Sequence, residues 1–382
     1  MSNLLPGSPF RRESVGRGRV VALAAVLAVG LVVGGCATGT GVDGPSSGSG
    51  ASGSGGGPPD PSLDAYDFRA PLTLQGVPDG ATVRVVLNHA TLVADGKALA
   101  DGNDVRIVFF DDGGSATELN RVLDRASAWD STNTNLFFRA LPAPAPSGVY
   151  YVYYGNPTPA APVADPLQVF DYWDDFDTLE ENWGLDLIGP ATGDVSLVSG
   201  AVRVAGVAGD IGGAADDCIL FARDLSGDFL IEARIAGVGG SLGGPAKTGG
   251  LMVRGTTAAD SAHHTITLQR TPRDRVAITR ATDGAVATTD QLTAPDVYPQ
   301  YVRMHRSGGT ITAQYSDDGI SYVSLGMGQT PAVSDPVRVG IPFANSSGGS
   351  GYVDVDWVRI RGANLPEPKA VVGDEEALGS GT

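Results

Sequence analysis

Apolar and polar residues alternate through most of residues 64–362, the period of strands that bury one face. In Ala81–Leu87, Val83, Val85 and Leu87 share one side while Thr82 and Arg84 take the other. Asp104–Phe110, Asn135–Ala140 and Val149–Tyr154 read the same way, the last carrying Tyr150, Tyr151, Tyr153 and Tyr154 on both sides. A second series follows in Phe229–Ile235, Gly250–Arg254, His264–Gln269, Val276–Arg280, Tyr301–Arg306, Thr310–Ser316 and Tyr352–Arg361. Gly, Pro, Asp and Asn separate these runs. Asp317-Asp318-Gly319 is a hairpin turn signal, since glycine accepts positive φ. One helix is expected around Thr117–Ala128. Pro157, Pro159 and Pro162 then break the pattern and set a domain boundary near residue 163. The expectation is an all-β chain with two β-sandwich domains, 64–162 and 163–362.

The ends read differently. Arg11, Arg12, Arg17 and Arg19 precede an uncharged run from Val20 to Gly35, too short for the roughly 20 residues that cross a bilayer, so residues 1–35 are expected to be a secretion signal. The run closes on Val33-Gly34-Gly35-Cys36, which resembles the lipobox of bacterial lipoproteins. That resemblance implies a lipid-modified Cys36 as the first residue of the mature protein, several acyl chains giving a stable hold on the membrane. Ala37 stands where, by the same resemblance, an aspartate would retain the protein at the inner membrane, so an outer-membrane or surface location is expected. Residues 36–63 are mostly Gly, Ser, Ala, Thr and Pro and read as a flexible linker. Residues 363–382, with Asp374-Glu375-Glu376 and no apolar pattern, read as a disordered tail.

Charge narrows the partners. Without residues 1–35 the chain holds 22 Lys and Arg against 42 Asp and Glu, a formal charge of −20, which would repel a polyanion; nucleic acid is not an expected partner. The two cysteines, Cys36 and Cys218, leave no disulfide framework, and Cys218 is expected to be a structural thiol.

The ordered series Phe68-Arg69-Ala70-Pro71-Leu72-Thr73-Leu74, Asp101-Gly102-Asn103-Asp104-Val105-Arg106-Ile107 and Tyr150-Tyr151-Val152-Tyr153-Tyr154-Gly155-Asn156-Pro157 resembles the family called domain of unknown function 2341, for which no activity is established. Only Trp129 remains of the aromatic edge usual in that family near 120–130. Gly249-Gly250-Leu251-Met252-Val253-Arg254, Tyr315-Ser316-Asp317-Asp318-Gly319 with Ser321-Tyr322, and Tyr352-Val353-Asp354-Val355-Asp356-Trp357-Val358 resemble the concanavalin A-like lectin/glucanase superfamily. This second resemblance implies a jelly-roll fold for about residues 170–361.

Chemistry is sparse. A retaining glucanase needs paired carboxyl groups on one strand. The chain has no Glu-x-Asp-x-Glu pattern, and only Glu118, Glu180, Glu181 and Glu232 lie between residues 64 and 362, so glycoside hydrolysis is not expected. There is no His-Glu-x-x-His and no phosphate loop, and His263-His264 are read as structural because neighbours on a strand face opposite sides. Binding is the stronger reading. With Leu251 and Val253 inward, Arg254 faces outward, and the same parity turns out Gln269, Tyr301, Arg303, His305 and Gln314, planar donors with one aromatic ring that suit sugar hydroxyls. Asp175 and Asp177 open the second sandwich and Asp354 and Asp356 close it; by the superfamily resemblance these ends lie side by side, making the four carboxylates candidate ligands for a structural Ca²⁺. The expected function is polysaccharide or polymer binding by a lipid-anchored envelope protein. A structural or protein–protein module of the envelope is the alternative, and a glycoside hydrolase the third.

Overall fold

The computed structural model of the protein describes residues 63–142, 147–243, 246–269, 274–281, 284–293 and 297–379. The expected signal, Cys36 and the linker up to residue 62 lie outside the described residues. Among those described, no helix is long and apolar enough to cross a membrane.

The N-terminal alternating runs form β1 (Phe68–Leu74), β2 (Thr82–Leu87), β3 (Arg106–Asp111), β4 (Ala116–Leu119), β5 (Arg121–Leu123), β6 (Thr134–Arg139) and β7 (Gly148–Tyr154). Two strips result, β4-β3-β7-β1 and β2-β6-β5. Leu72, Val83, Val85, Ile107, Phe109, Leu136, Phe138 and Val152 share one core, so the strips face each other, and Asn120 links the two edge strands directly. The helix expected at Thr117–Ala128 is not formed; β4 and β5 lie there. Arg121 is drawn inward, its Nε donating to the Val105 carbonyl at 2.8 Å and its Nη2 to the Gly102 carbonyl at 2.7 Å, with the guanidinium over Trp129. Those contacts reward an extended backbone at a position where a helix would present Arg121 to water. The α-helix found is α1 (His89–Ala94), capped by Asn88, whose side chain accepts from the Thr91 N–H.

From residue 172 the chain builds a two-sheet sandwich. Seven strands make one sheet, in the order β17 (Val286–Thr293), β16 (Asp274–Arg280), β15 (His263–Gln269), β14 (Lys247–Arg254), β21 (Val337–Phe343), β12 (Cys218–Leu225) and β9 (Gly184–Ile188). The other runs β10 (Thr192–Leu197), β11 (Val202–Val207), β22 (Gly351–Arg361), β13 (Phe229–Gly240), β18 (Gln300–Ser307), β19 (Thr310–Ser316) and β20 (Val323–Ser324), with β8 (Tyr172–Asp174) beside β22. Inward residues of both sheets, among them Phe221, Ile231, Leu251, Val253, Met304, Ile341 and Val355, meet in one buried core. Val358 stands opposite Asp174, so the opening and closing strands are adjacent, as expected.

The C-terminal stretch departs from the sequence reading of a disordered tail. β23 (Lys369–Val372) fills the gap between the two N-terminal strips, antiparallel to β1, with Leu72 opposite Val372, and parallel to β2, with Val85 opposite Ala370. β24 (Glu376–Ala377) then pairs with β1 at Phe68 and Arg69. The nine-stranded sheet is completed by residues from the far end of the chain, whose few apolar side chains, Ala370 and Val372, join its core.

Candidate functional site

The predicted binding residues do not converge. Arg254 and Gln269 belong to the seven-stranded sheet; Tyr301, Arg303, His305 and Gln314 belong to the other. Outward positions on these sheets point in opposite directions, so no single site joins them. Each group is also occupied. On β14 the Arg254 side chain is fully buried; Nε donates to the Thr256 carbonyl at 2.6 Å and Nη1 lies 3.2 Å from Asp216. The segment between β11 and β12 crosses this face, placing Ile211 against Met252, Val276 and Ile278. Gln269 is half-buried at the end of β15.

Asp216 is the centre of that cover. Its oxygens lie 2.7 Å from Arg280 Nη2, 3.2 Å from Arg254 Nη1 and 3.4 Å from His263 Nε2, and accept the Gly212 N–H at 3.0 Å. Thr265 Oγ1 is 2.9 Å from His263 Nδ1. Burial raises the Asp216 carboxyl, but the contacts with His263, Gly212 and Arg280 outweigh it and hold the group well below the usual carboxylate range. Burial lowers His263 more than Asp216 lifts it, which keeps the imidazole neutral. Carboxylate, imidazole and hydroxyl stand in the order of a proton relay, yet all three are buried and the carboxylate is neutralised by two guanidiniums. The arrangement pins the covering segment to the sheet. His264, on the opposite side of β15, is 2.8 Å from Thr279 Oγ1, so the histidine pair is split between two faces, as parity predicts.

The outward face of the eight-stranded sheet is partly covered too. Arg303 Nε donates to Gln314 Oε1, and its guanidinium lies 4.0 Å over Tyr322. Gln314 Nε2 donates to Ser324 Oγ at 3.2 Å, His305 Nε2 meets the Ala363 carbonyl at 3.1 Å, and Tyr301 sits beside Trp357. Behind Arg303 lies a group that the sequence reading passed over. Glu232 is fully buried, 2.6 Å from Arg359, 3.2 Å from Arg361 and 3.5 Å from Arg303. Arg359 continues to Asp124 at 3.4 Å and stacks on Phe137; Arg361 continues to Glu367 at 2.5 Å, which reaches Arg84 at 3.2 Å. Burial raises Glu232, but Arg359, Arg361 and Arg303 together hold it well below its ordinary value. This alternating chain of charges joins the sandwich, the nine-stranded sheet and the C-terminal segment. Its sequence signal is the equal parity of Arg359 and Arg361, the register of β13 and β22 setting Arg359 opposite Glu232 and Arg361 two positions on, opposite Leu230.

The calcium expectation finds no support among the described residues. Asp354 accepts two 2.7 Å bonds from Arg203, Asp356 pairs with Arg234, and Asp175 pairs with Arg125 at 2.7 Å, while Asp177 is exposed on the following turn. Asp174 accepts the Phe176 N–H and the Tyr172 hydroxyl, both at 2.7 Å. Asp175, Asp354 and Asp356 are each spent on a separate arginine, and among the described residues no three His, Cys, Asp or Glu side chains converge for a metal.

What stays open is the β10–β11–β22 end of the eight-stranded sheet. A hollow of about 520 Å³ is lined there by Thr192, Asp194, Arg203, Ser350 and Tyr352 over a floor of Gly193, Gly206 and Gly351. The Tyr352 ring lies directly on Gly239, where an added Cβ would come within 2.4 Å of its hydroxyl. Arg203 is fixed by Asp354 and lies 3.7 Å from the ring centre. The hollow thus offers a guanidinium held in one orientation, an exposed Asp194 carboxylate, hydroxyls and an aromatic ring.

No protein-family model matches the chain, and no curated protein matches it. Solved structures do. A mutant of the GH43 protein BlXynB from Bacillus licheniformis is 16% identical with a TM-score of 0.41, covering 76% of this chain and 55% of its own. The carbohydrate binding module CBM66 from Bacillus subtilis is 13% identical with a TM-score of 0.31, covering 46% of this chain and 94% of its own. Cellulose induced protein Cip1 is 19% identical with a TM-score of 0.33, covering 50% and 96%. The chain spans about half of BlXynB, and at these identities the likeness assigns no residue a role.

Proposed function

We propose that the protein is held at the bacterial envelope by lipid on Cys36, at the outer membrane or cell surface, and that its sandwich binds a carbohydrate polymer without cleaving it. The observation that carries this reading is the open hollow at Arg203, Tyr352 and Asp194. Its donors are pre-set by Asp354, so little ordering is needed when a ligand with ring hydroxyls arrives. A single shallow site implies weak affinity, which many sites along a polymer would raise.

The test is retention of the chain from residue 37 on insoluble polysaccharides, with the supernatant assayed for new reducing ends. Retention without new ends, lost in an Arg203→Ala, Tyr352→Ala double variant, is expected; retention unaffected by that variant refutes the site. For the anchor, Cys36→Ser is expected to leave the membrane pellet. A second reading, a protein–protein module of the envelope, draws on Leu185, Leu187 and Leu197, exposed by 37%, 48% and 40% along the open edge between β9 and β10. It predicts a stable crosslinked neighbour on cells that free sugar does not displace.

A further inference from the structure

The outward side of the nine-stranded sheet carries a second hollow, of about 600 Å³, with no part in the site above. A solvated sheet face ordinarily presents polar side chains. Here β3, β7 and the segment before β1 present Phe110, Tyr151, Tyr153 and Tyr66 instead. Tyr66 and Tyr153 meet at 85° with ring centres 6.0 Å apart; Phe110 lies 6.2 Å from Tyr153 at 30° and 5.8 Å from Tyr151 at 89°. Non-coplanar rings therefore wall the hollow. Phe110 and Tyr151 stay half-exposed, and Leu63 and Leu378 close its sides.

The polar groups decide what fits. Arg69 reaches the hollow with its geometry already set: Nε donates to Glu376 at 2.7 Å and Nη1 to the Tyr153 hydroxyl at 3.1 Å. Arg106, beneath Tyr66, is neutralised by Glu118 at 3.0 Å. A cationic ligand would meet the Arg69 guanidinium packed on Tyr151, and an anionic one would meet the exposed Asp64 at the rim. An uncharged ligand with an apolar face and a rim of hydroxyls loses nothing to either. A neutral pyranose has that shape: its C–H face suits the rings, and its hydroxyls suit Asp64 and the remaining Arg69 donors.

We infer that the nine-stranded sheet holds a second carbohydrate site, taking a neutral sugar residue against the half-exposed ring of Phe110. The inference stands apart from the sandwich hollow, and the experiment keeps them apart. Saturation-transfer NMR on the chain from residue 37, already bearing Arg203→Ala and Tyr352→Ala, is run with cellohexaose, xylohexaose and chitohexaose, and with a proline decamer as the peptide control. Transfer to the ring protons of at least one sugar is expected. Adding Phe110→Ala should weaken its binding about tenfold, the loss of one ring's worth of buried apolar surface. Asp64→Asn, at an exposed position that leaves the fold intact, should weaken it measurably with an unchanged unfolding temperature. No transfer to any of the three sugars, transfer indifferent to both substitutions, or a response confined to the proline decamer would overturn the assignment.

Discussion

Replacing Glu367 with alanine tests the charge chain at its narrowest point. Glu367 lies 2.5 Å from Arg361 and 3.2 Å from Arg84, and its side chain is 12% exposed, against 3% and 10% for the two arginines. Arg361 also shares Glu232 with Arg359 and Arg303, so removing Glu367 leaves a surplus of buried positive charge. Stripping one partner from a buried pair costs about 3–5 kcal/mol; because Arg361 keeps Glu232, the lower end, about 3 kcal/mol, is expected here. For a chain of this size that lowers the unfolding temperature by roughly 4 °C. Urea unfolding at pH 7, followed by near-UV circular dichroism, reads it directly. The pH dependence supplies a second check. Burial raises the Glu367 carboxyl, but Arg361 and Arg84 overcome this and depress it below its ordinary 4.5. A depressed carboxylate stabilises above its unfolded value, and that contribution fades as pH falls through the folded one. The gap between parent and variant should be full at pH 7 and close below about pH 4.5. A Glu367→Ala protein within about 0.5 kcal/mol of the parent at pH 7, the range of an ordinary surface change, would refute the reasoning.

Two other outcomes follow from buried groups. Burial pushes the Cys218 thiol up to about 12, so in the chain from residue 37 it should not react with Ellman's reagent at pH 8 until denaturant is added; reaction within the mixing time would place it at the surface. Burial, and then the neighbouring His263, brings His264 down to about 4, and burial also lowers His89 and His263. In the unfolded chain these imidazoles take protons near pH 6.5, so stability should fall as pH drops from about 6.5 to about 4. His264→Gln should flatten part of that slope, and an unchanged slope would assign the dependence elsewhere.

Local pattern made much of the fold legible. Val83, Val85, Leu251 and Val253 face inward as their alternation requires, and β8 lies beside β22. Parity, however, says which side of a sheet a residue takes and nothing of what lies upon it. Arg254, Arg303 and Gln314 do face away from the sandwich core, but a distant segment or a neighbouring side chain occupies them. Glu232 was visible as a lone glutamate; its partners appear only when the register of β13 with β18 and β22 brings Arg303 and Arg359 opposite. β23 escaped for a related reason. Ala370-Val371-Val372 is a short apolar run between proline and glycine, and its place in a sheet depends on strands near the other end of the sequence. The hollow at Tyr352 depends on glycines in four neighbouring strands, none informative by itself.

The position of β23 also sets an order of assembly. Arg69 and Glu376, joined across β1 and β24, are 307 positions apart. A chain leaving the ribosome or a translocation channel N-terminus first therefore exposes β1 and β2 early, each with one rim of unpaired amides and carbonyls. The sandwich, continuous from residue 172 to residue 361, can close in the meantime. During that interval those two rims are templates for any extended chain nearby, so a chaperone has most to do at the part of the protein made first, and a protease trimming the final residues would reopen the same seam.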